Sequence, residues 1–127
     1  MPDSATAPVE QQLRQERDRF LAFAFCGNDM LLELDADGRI RFAAGATELM
    51  AGDTGGKLIG RQFVDLVAPG DRAVIGTLVA AAVQAGKRFD DAPFTLAPAG
   101  RDAVKVEATG FALPQLEGHC FLAVRRP

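Results

Sequence analysis

The stretch LLELDADGRIRFAAGATELM, residues 31–50, restricts the fold more than any other. Leu32 and Leu34 alternate with Glu33, the turn residues Asp35-Ala36-Asp37-Gly38 follow, and Ile40 and Phe42 then alternate with Arg39 and Arg41. Alternation with period two on both sides of a turn predicts a β-hairpin. The small residues of 43–46 then lead straight into a short helical stretch. A hairpin that runs into a helix is either one wall of a compartment that holds a ligand or the edge of a packed core.

The remaining pattern supplies the other layer. Residues 1–7 are small and polar and are expected to be a disordered terminus. From Pro8 the pattern is helical, with no Gly or further Pro until Gly27, and an N-terminal helix is predicted over 8–26. Val9, Leu13, Phe20 and Ala24 form its apolar stripe. Residues 45–71 are broken by Gly52, Gly55-Gly56, Gly60 and Pro69-Gly70, which predicts two or three short helices. Asp71 is the expected N-cap of the clearest helix, where Val74, Ile75, Leu78, Val79, Ala82 and Val83 repeat at helical spacing and Gly86 ends the run. Strand patterns close the chain. Residues 89–97 carry Pro93, which belongs at a sheet edge or bulge. Val104, Val106 and Ala108 alternate with polar residues, 113–118 reads as a loop, and Cys120, Leu122 and Val124 share one face of the last strand. Helix, two strands, short helices, a longer helix and three strands make an α+β layout with a mainly antiparallel sheet.

Charge and composition exclude several functions. The 127 residues carry a net charge of −3, and no basic stripe with interleaved aromatics is present, so nucleic-acid binding is not expected. The N-terminus lacks the basic and apolar regions of a secretory signal, and no apolar run is long enough to span a bilayer. Two widely spaced cysteines, Cys26 and Cys120, suit a reducing compartment, and a cytoplasmic location is expected. Catalysis lacks material: Ser4 is the only serine and His119 the only histidine, so no Ser-His-Asp set can form. No spacing of His, Cys and carboxylates suits zinc, and Asp35, Asp37, Asp90 and Asp91 read as turn and surface residues. The glycines of 52–60 follow no strand and open no long helix, which argues against a phosphate cradle. No enzymatic activity and no metal are expected.

In order and spacing, three stretches resemble the PAS sensory domain: the Asp35–Gly38 turn within its hairpin, Leu58-Ile59-Gly60 leading to Phe63 and Leu66, and Pro69-Gly70-Asp71-Arg72 entering the long helix. The resemblance covers about residues 29–125. It implies a five-stranded antiparallel sheet of order 2-1-5-4-3, with the short helices and the long one on one face. Where such domains often show Asn-x-Ala after the second strand, this chain reads Ala43-Ala44-Gly45-Ala46, so no polar contact is expected there. Flavin photosensors of this family need a cysteine in the segment that here reads GRQFVDLVAP, and haem sensors take a histidine from the long helix; both are missing. His119 reads as a hydrogen-bonded or exposed structural residue, and Cys26 and Cys120 as small buried hydrophobes. No cofactor is expected. With the strands paired as the resemblance implies, Cys120 lies more than roughly 10 Å from Cys26, too far for a disulfide.

Phe42, Leu49, Leu58, Phe63, Leu66, Val74, Leu78, Leu96, Val106 and Leu122 are expected to converge between helices and sheet. They either fill the core or enclose a small apolar ligand, for which Ala43, Ala44, Gly45, Ala46, Gly76, Ala108 and Gly110 would leave room. The stripe of Val9, Leu13, Phe20 and Ala24 packs on its own sheet or pairs with a second copy; a homodimer through this helix and the sheet face is expected. The resemblance implies a non-catalytic sensory and dimerisation module, and such domains continue past the last strand, here Arg125-Arg126-Pro127, into an effector. ERDRFLAFAFCGNDMLLELDADGRI looks like the start of bacterial proteins whose effector is an EAL-type cyclic di-GMP phosphodiesterase; a histidine kinase is the second choice. The competing class is a structural interaction domain with a filled core.

Overall fold

The computed structural model describes residues 29–112 and 118–127, together with the exposed, helical Gln11, Gln12 and Gln15. Most of the expected 8–26 helix, with Val9, Leu13, Phe20, Ala24 and Cys26, therefore lies outside the described residues.

Strands β1 (Met30–Leu34), β2 (Ile40–Gly45), β3 (Phe89–Leu96), β4 (Val104–Ala112) and β5 (Cys120–Arg125) form one antiparallel sheet of order β2-β1-β5-β4-β3. Between β2 and β3 run α1 (Thr47–Ala51), α2 (Gly55–Leu58), the 3₁₀ turns η1 (Phe63–Leu66) and η2 (Pro69–Asp71), and the 14-residue α3 (Arg72–Ala85). The glycine-broken stretch thus makes four short pieces rather than two or three. The core lies between this helical layer and the inner sheet face, where Met30, Leu32, Leu34, Val106, Ala108, Leu122 and Val124 are buried against Leu58, Phe63, Leu66 and Ile75.

A bulge decides which hairpin residues face inward. Leu34 pairs with Ile40 and Glu33 with Phe42, so β2 advances two residues while β1 advances one. Arg41 is the extra residue, and an odd insertion turns every later side chain to the opposite face. Phe42 is consequently on the outer face beside Glu33, 41% exposed, and not in the interior as its alternation with Ile40 predicts. Arg41 returns its side chain to the turn, where its Nε donates to Asp35 Oδ2 at 2.7 Å.

Two more interior assignments are corrected by helix geometry. In α1 the buried positions are Thr47, Met50 and Ala51, so Leu49 falls on the outside, 46% exposed. In α3 Ile75 and Ala82 are buried and Leu78, Val79 and Val83 pack partly on the core. Val74, one step off that stripe, is 63% exposed.

Asp71 precedes α3 but does not cap it with its side chain. Its Oδ2 instead accepts the backbone N–H of Thr95 at 2.8 Å, tying the helix entry to β3. At the other end Gly86 adopts φ 64°, and the N–H groups of Gly86 and Lys87 close onto the carbonyls of Ala82 and Ala81. That left-handed residue is the expected glycine stop.

Cys120 pairs with Leu34, at the end of β1 far from Met30. It is a free, fully buried thiol, and burial pushes its pKa up to about 11. Thiolate is the reactive form, so the native protein should leave Cys120 unmodified. In a Cys26→Ala variant, an aromatic disulfide reagent at pH 8 should label it only as fast as the chain unfolds. Complete labelling within seconds under native conditions would contradict this burial.

Candidate functional site

The β1–β2 turn is built around one carboxylate. Asp35 Oδ1 accepts the backbone N–H groups of Asp37 at 2.9 Å and Arg39 at 3.0 Å, and Oδ2 takes the Arg41 guanidinium. Such an Asx turn is why Asp-x-Asp-Gly suits this position. The turn is pinned to the helical layer as well: Phe63 N–H donates to Gly38 O at 3.0 Å, and Arg39 bridges Gln62.

Burial works against ionising Asp35, but the hydrogen bonds from Arg39, Arg41 and Asp37 outweigh it and hold the carboxyl below its ordinary range. The unfolded chain then binds the proton at a higher pH than the folded one. The stabilisation is therefore complete above about pH 4 and lost as pH falls below it. Urea titrations should show wild type more stable than Asp35→Asn at pH 7, with the gap closing towards pH 2.5. A gap that persists or widens in acid would refute that sign.

Between this turn, η1 and α3 lies a cavity of about 300 Å³, lined by Leu34 and residues 35–38, by Gln62, Phe63 and Val64, and by Gly76, Val79, Ala80, Val83 and Gln84. The α3 positions follow helical spacing, one face beside the core stripe. Gly76 and Ala80 open the space because neither side chain reaches across it. Leu34 and Phe63 close its inner end, both essentially buried, and Phe63 meets Phe94 edge to face with ring centroids 6.1 Å apart.

Of the ten interior residues expected from sequence, only Phe63 lines this cavity. Leu58, Leu66, Leu96, Val106 and Leu122 are buried in the core, Leu78 is packed partly on it, and Phe42, Leu49 and Val74 are exposed. The small residues explain the difference. Space above Gly110 is taken by the Phe89 ring, since a Cβ there would sit 2.3 Å from Phe89 Cζ. Beside Gly45 the Asp29 carbonyl occupies the position of a Cβ. Among the expected room-makers, Gly76 is the one that lines this cavity. The turn residues and Val64 were missed as lining; the turn's proximity to α3 depends on pairings that sequence does not display. The signal that was available is the pair Gly76 and Ala80, four apart on one helix face.

His119, the only histidine, has Nδ1 2.6 Å from Glu33 Oε2 and does not line the cavity. Glu33 shares the outer sheet face with Phe42 and Phe121. Phe121 stacks on Phe111 at 5.7 Å, and the Arg88 guanidinium lies 5.8 Å from the Phe111 centroid. Among the described residues no group of three His, Cys or carboxylates is placed to hold a metal, and no helix is long and apolar enough to cross a membrane.

The five-stranded antiparallel sheet thus carries its short helices and one longer helix on a single face, with the cavity between the hairpin turn, η1 and α3. A family model for the PAS fold matches residues 27–125, and the chain belongs to that family. No curated protein sequence matches it. A PAS domain from Colwellia psychrerythraea is similar in structure with a TM-score of 0.72 at 18% identity, covering 91% of this chain and 97% of that one. A domain of a sensory box sensor histidine kinase/response regulator from Geobacter sulfurreducens has a TM-score of 0.69 at 18% identity, covering 89% and 96%. The PAS domain of the Cronobacter turicensis RpfR quorum-sensing receptor, in complex with BDSF, has a TM-score of 0.64 at 14% identity, covering 78% and 93%. At such identities the likeness is one of fold. PAS domains are in general sensory, non-catalytic modules.

Proposed function

We propose that this chain is the sensory module of a bacterial signalling protein. Occupancy of the cavity by a small, largely apolar molecule is relayed to a C-terminal effector. The observation that carries the reading is the path out of the cavity. Leu34 and Asp35 line it, and Leu34 pairs across the sheet with Cys120, at the start of the last strand. A ligand that displaces the turn therefore pulls on β1, and β1 is hydrogen-bonded to β5 over its whole length. The response is a shift between two packings that the ligand binds unequally. An EAL-type cyclic di-GMP phosphodiesterase is the effector we favour, with a histidine kinase second. The stacked Phe111 and Phe121 on the outer face, with Phe42 beyond them, suit the homodimer contact proposed for the N-terminal helix and sheet. A cytoplasmic setting and the lack of flavin or haem belong to the same proposal.

The test is a titration with 3-phenylpropanol followed by amide chemical shifts. Saturable changes at Gly38, Val64, Gly76 and Ala80, continuing into Leu122 and Val124, are the expected result. Changes confined to exposed Phe42, Leu49 and Val74 would favour the second reading, an interaction domain whose interior takes no ligand.

A further inference from the structure

Resting on the reading of this cavity as the ligand site, we propose that it selects cationic over anionic ligands: an apolar body carrying an ammonium group. Its floor is apolar, made by Leu34, Phe63, Val79 and Val83. Its mouth is negative from two independent sources. Asp37 lies along one side, and among the described residues its carboxylate has no hydrogen-bond or ion-pair partner, whereas the buried Asp35 is already paired with Arg41. On the other side Val83 and Gln84 belong to the last turn of α3, which ends at Ala85. The C-terminal end of a helix carries about half a negative charge.

Among the described residues no lysine, arginine or histidine lines the cavity to offset this. Arg41 is paired with Asp35, and Arg39, whose guanidinium donates to Gly60 O at 3.0 Å, is not among the lining residues. Lys87 follows the helix stop and is exposed, outside the lining. The amides of Gln62 and Gln84 can accept from an ammonium as readily as donate elsewhere. A carboxylate or phosphate in the same position would face Asp37 and the helix end, with no cation in the described lining to pair with it. The cavity's volume of about 300 Å³ suits roughly ten to fifteen non-hydrogen atoms, at the small end of ligand pockets.

Three probes of one shape separate the charge from the site: 3-phenylpropylamine, 3-phenylpropanol and 3-phenylpropanoate, titrated at pH 7 in low salt and read from the Gly76 and Ala80 amides. The amine should bind about threefold tighter than the alcohol, the range of an exposed ion pair, and roughly tenfold tighter than the carboxylate. The preference should shrink in 0.5 M salt. Asp37→Asn should weaken the amine more than the alcohol, removing most of the difference between them. If all three bind alike, or the carboxylate binds best, the charge inference is overturned while the cavity remains the ligand site. If none moves these amides saturably, the cavity reading fails, and the inference with it.

Discussion

Phe63→Ala should lower the unfolding free energy by about 3 kcal/mol, with a fall in Tm of roughly 10 °C. Phe63 is 1% exposed, so truncation removes a full aromatic burial and its edge-to-face partner Phe94 loses a neighbour. The loss should stay at the lower end of the range for buried aromatics because one side of the ring already borders the cavity, where water can enter the new space. The same variant should enlarge the cavity and alter 3-phenylpropanol binding. Urea unfolding in parallel with the amide titration checks both. A stability loss under about 1 kcal/mol would mean that Phe63 is not the inner wall.

The other large effect is at Gly45. Its φ is +83°, a region an L side chain rarely enters, and an added Cβ would lie 2.1 Å from the Asp29 carbonyl oxygen. That carbonyl already accepts the N–H of Ala46 at 3.0 Å, so it is not free to retreat. Gly45→Ala should therefore cost about 3 kcal/mol or more, combining left-handed strain with a backbone clash. Gly56→Ala is the control, because nothing lies within 4 Å of a Cβ there and its φ is not positive. In α2 the alanine should be neutral or stabilising by up to about 1 kcal/mol. Equal effects of the two substitutions in urea titrations would contradict the geometry at Gly45.

Sequence made the elements of this fold legible where periodicity and turn chemistry agreed. The Asp35–Gly38 turn, the apolar stripe of α3 with its Gly86 stop, the Pro93-bearing edge strand and the alternation of β4 and β5 are all in the structure. What failed was facing. Phe42 obeys the alternation that predicts it, but the single extra residue Arg41 reverses it, and a bulge has no signature in a run of charged and apolar residues. Leu49 and Met50 are equally apolar neighbours; which of them enters the core depends on how a five-residue helix is set down by its surroundings. The cavity was the least legible part. Its walls come from three separate segments, 34–38, 62–64 and 76–84, and the glycines that looked like room for a ligand mostly make room for protein: a ring at Gly110 and a carbonyl at Gly45. Asp71, expected to cap its own helix, holds Thr95 instead, a contact set by tertiary approach alone.

The segment joining β2 to β3 touches both borders of the sheet. Ile40 exchanges hydrogen bonds with Gly60 and Arg61, and α2 lies against Ala43 so closely that a Cβ at Gly55 would strike its carbonyl. On the far side Ala68 and Leu66 bond to Thr95 and Ala97. The remainder of that border carries Asp90 and Asp91 at an irregular register, then Pro93, which offers no N–H. Growth of the sheet by addition of a foreign strand is blocked along these stretches. There the sheet's borders offer few free N–H and C=O groups to an added strand.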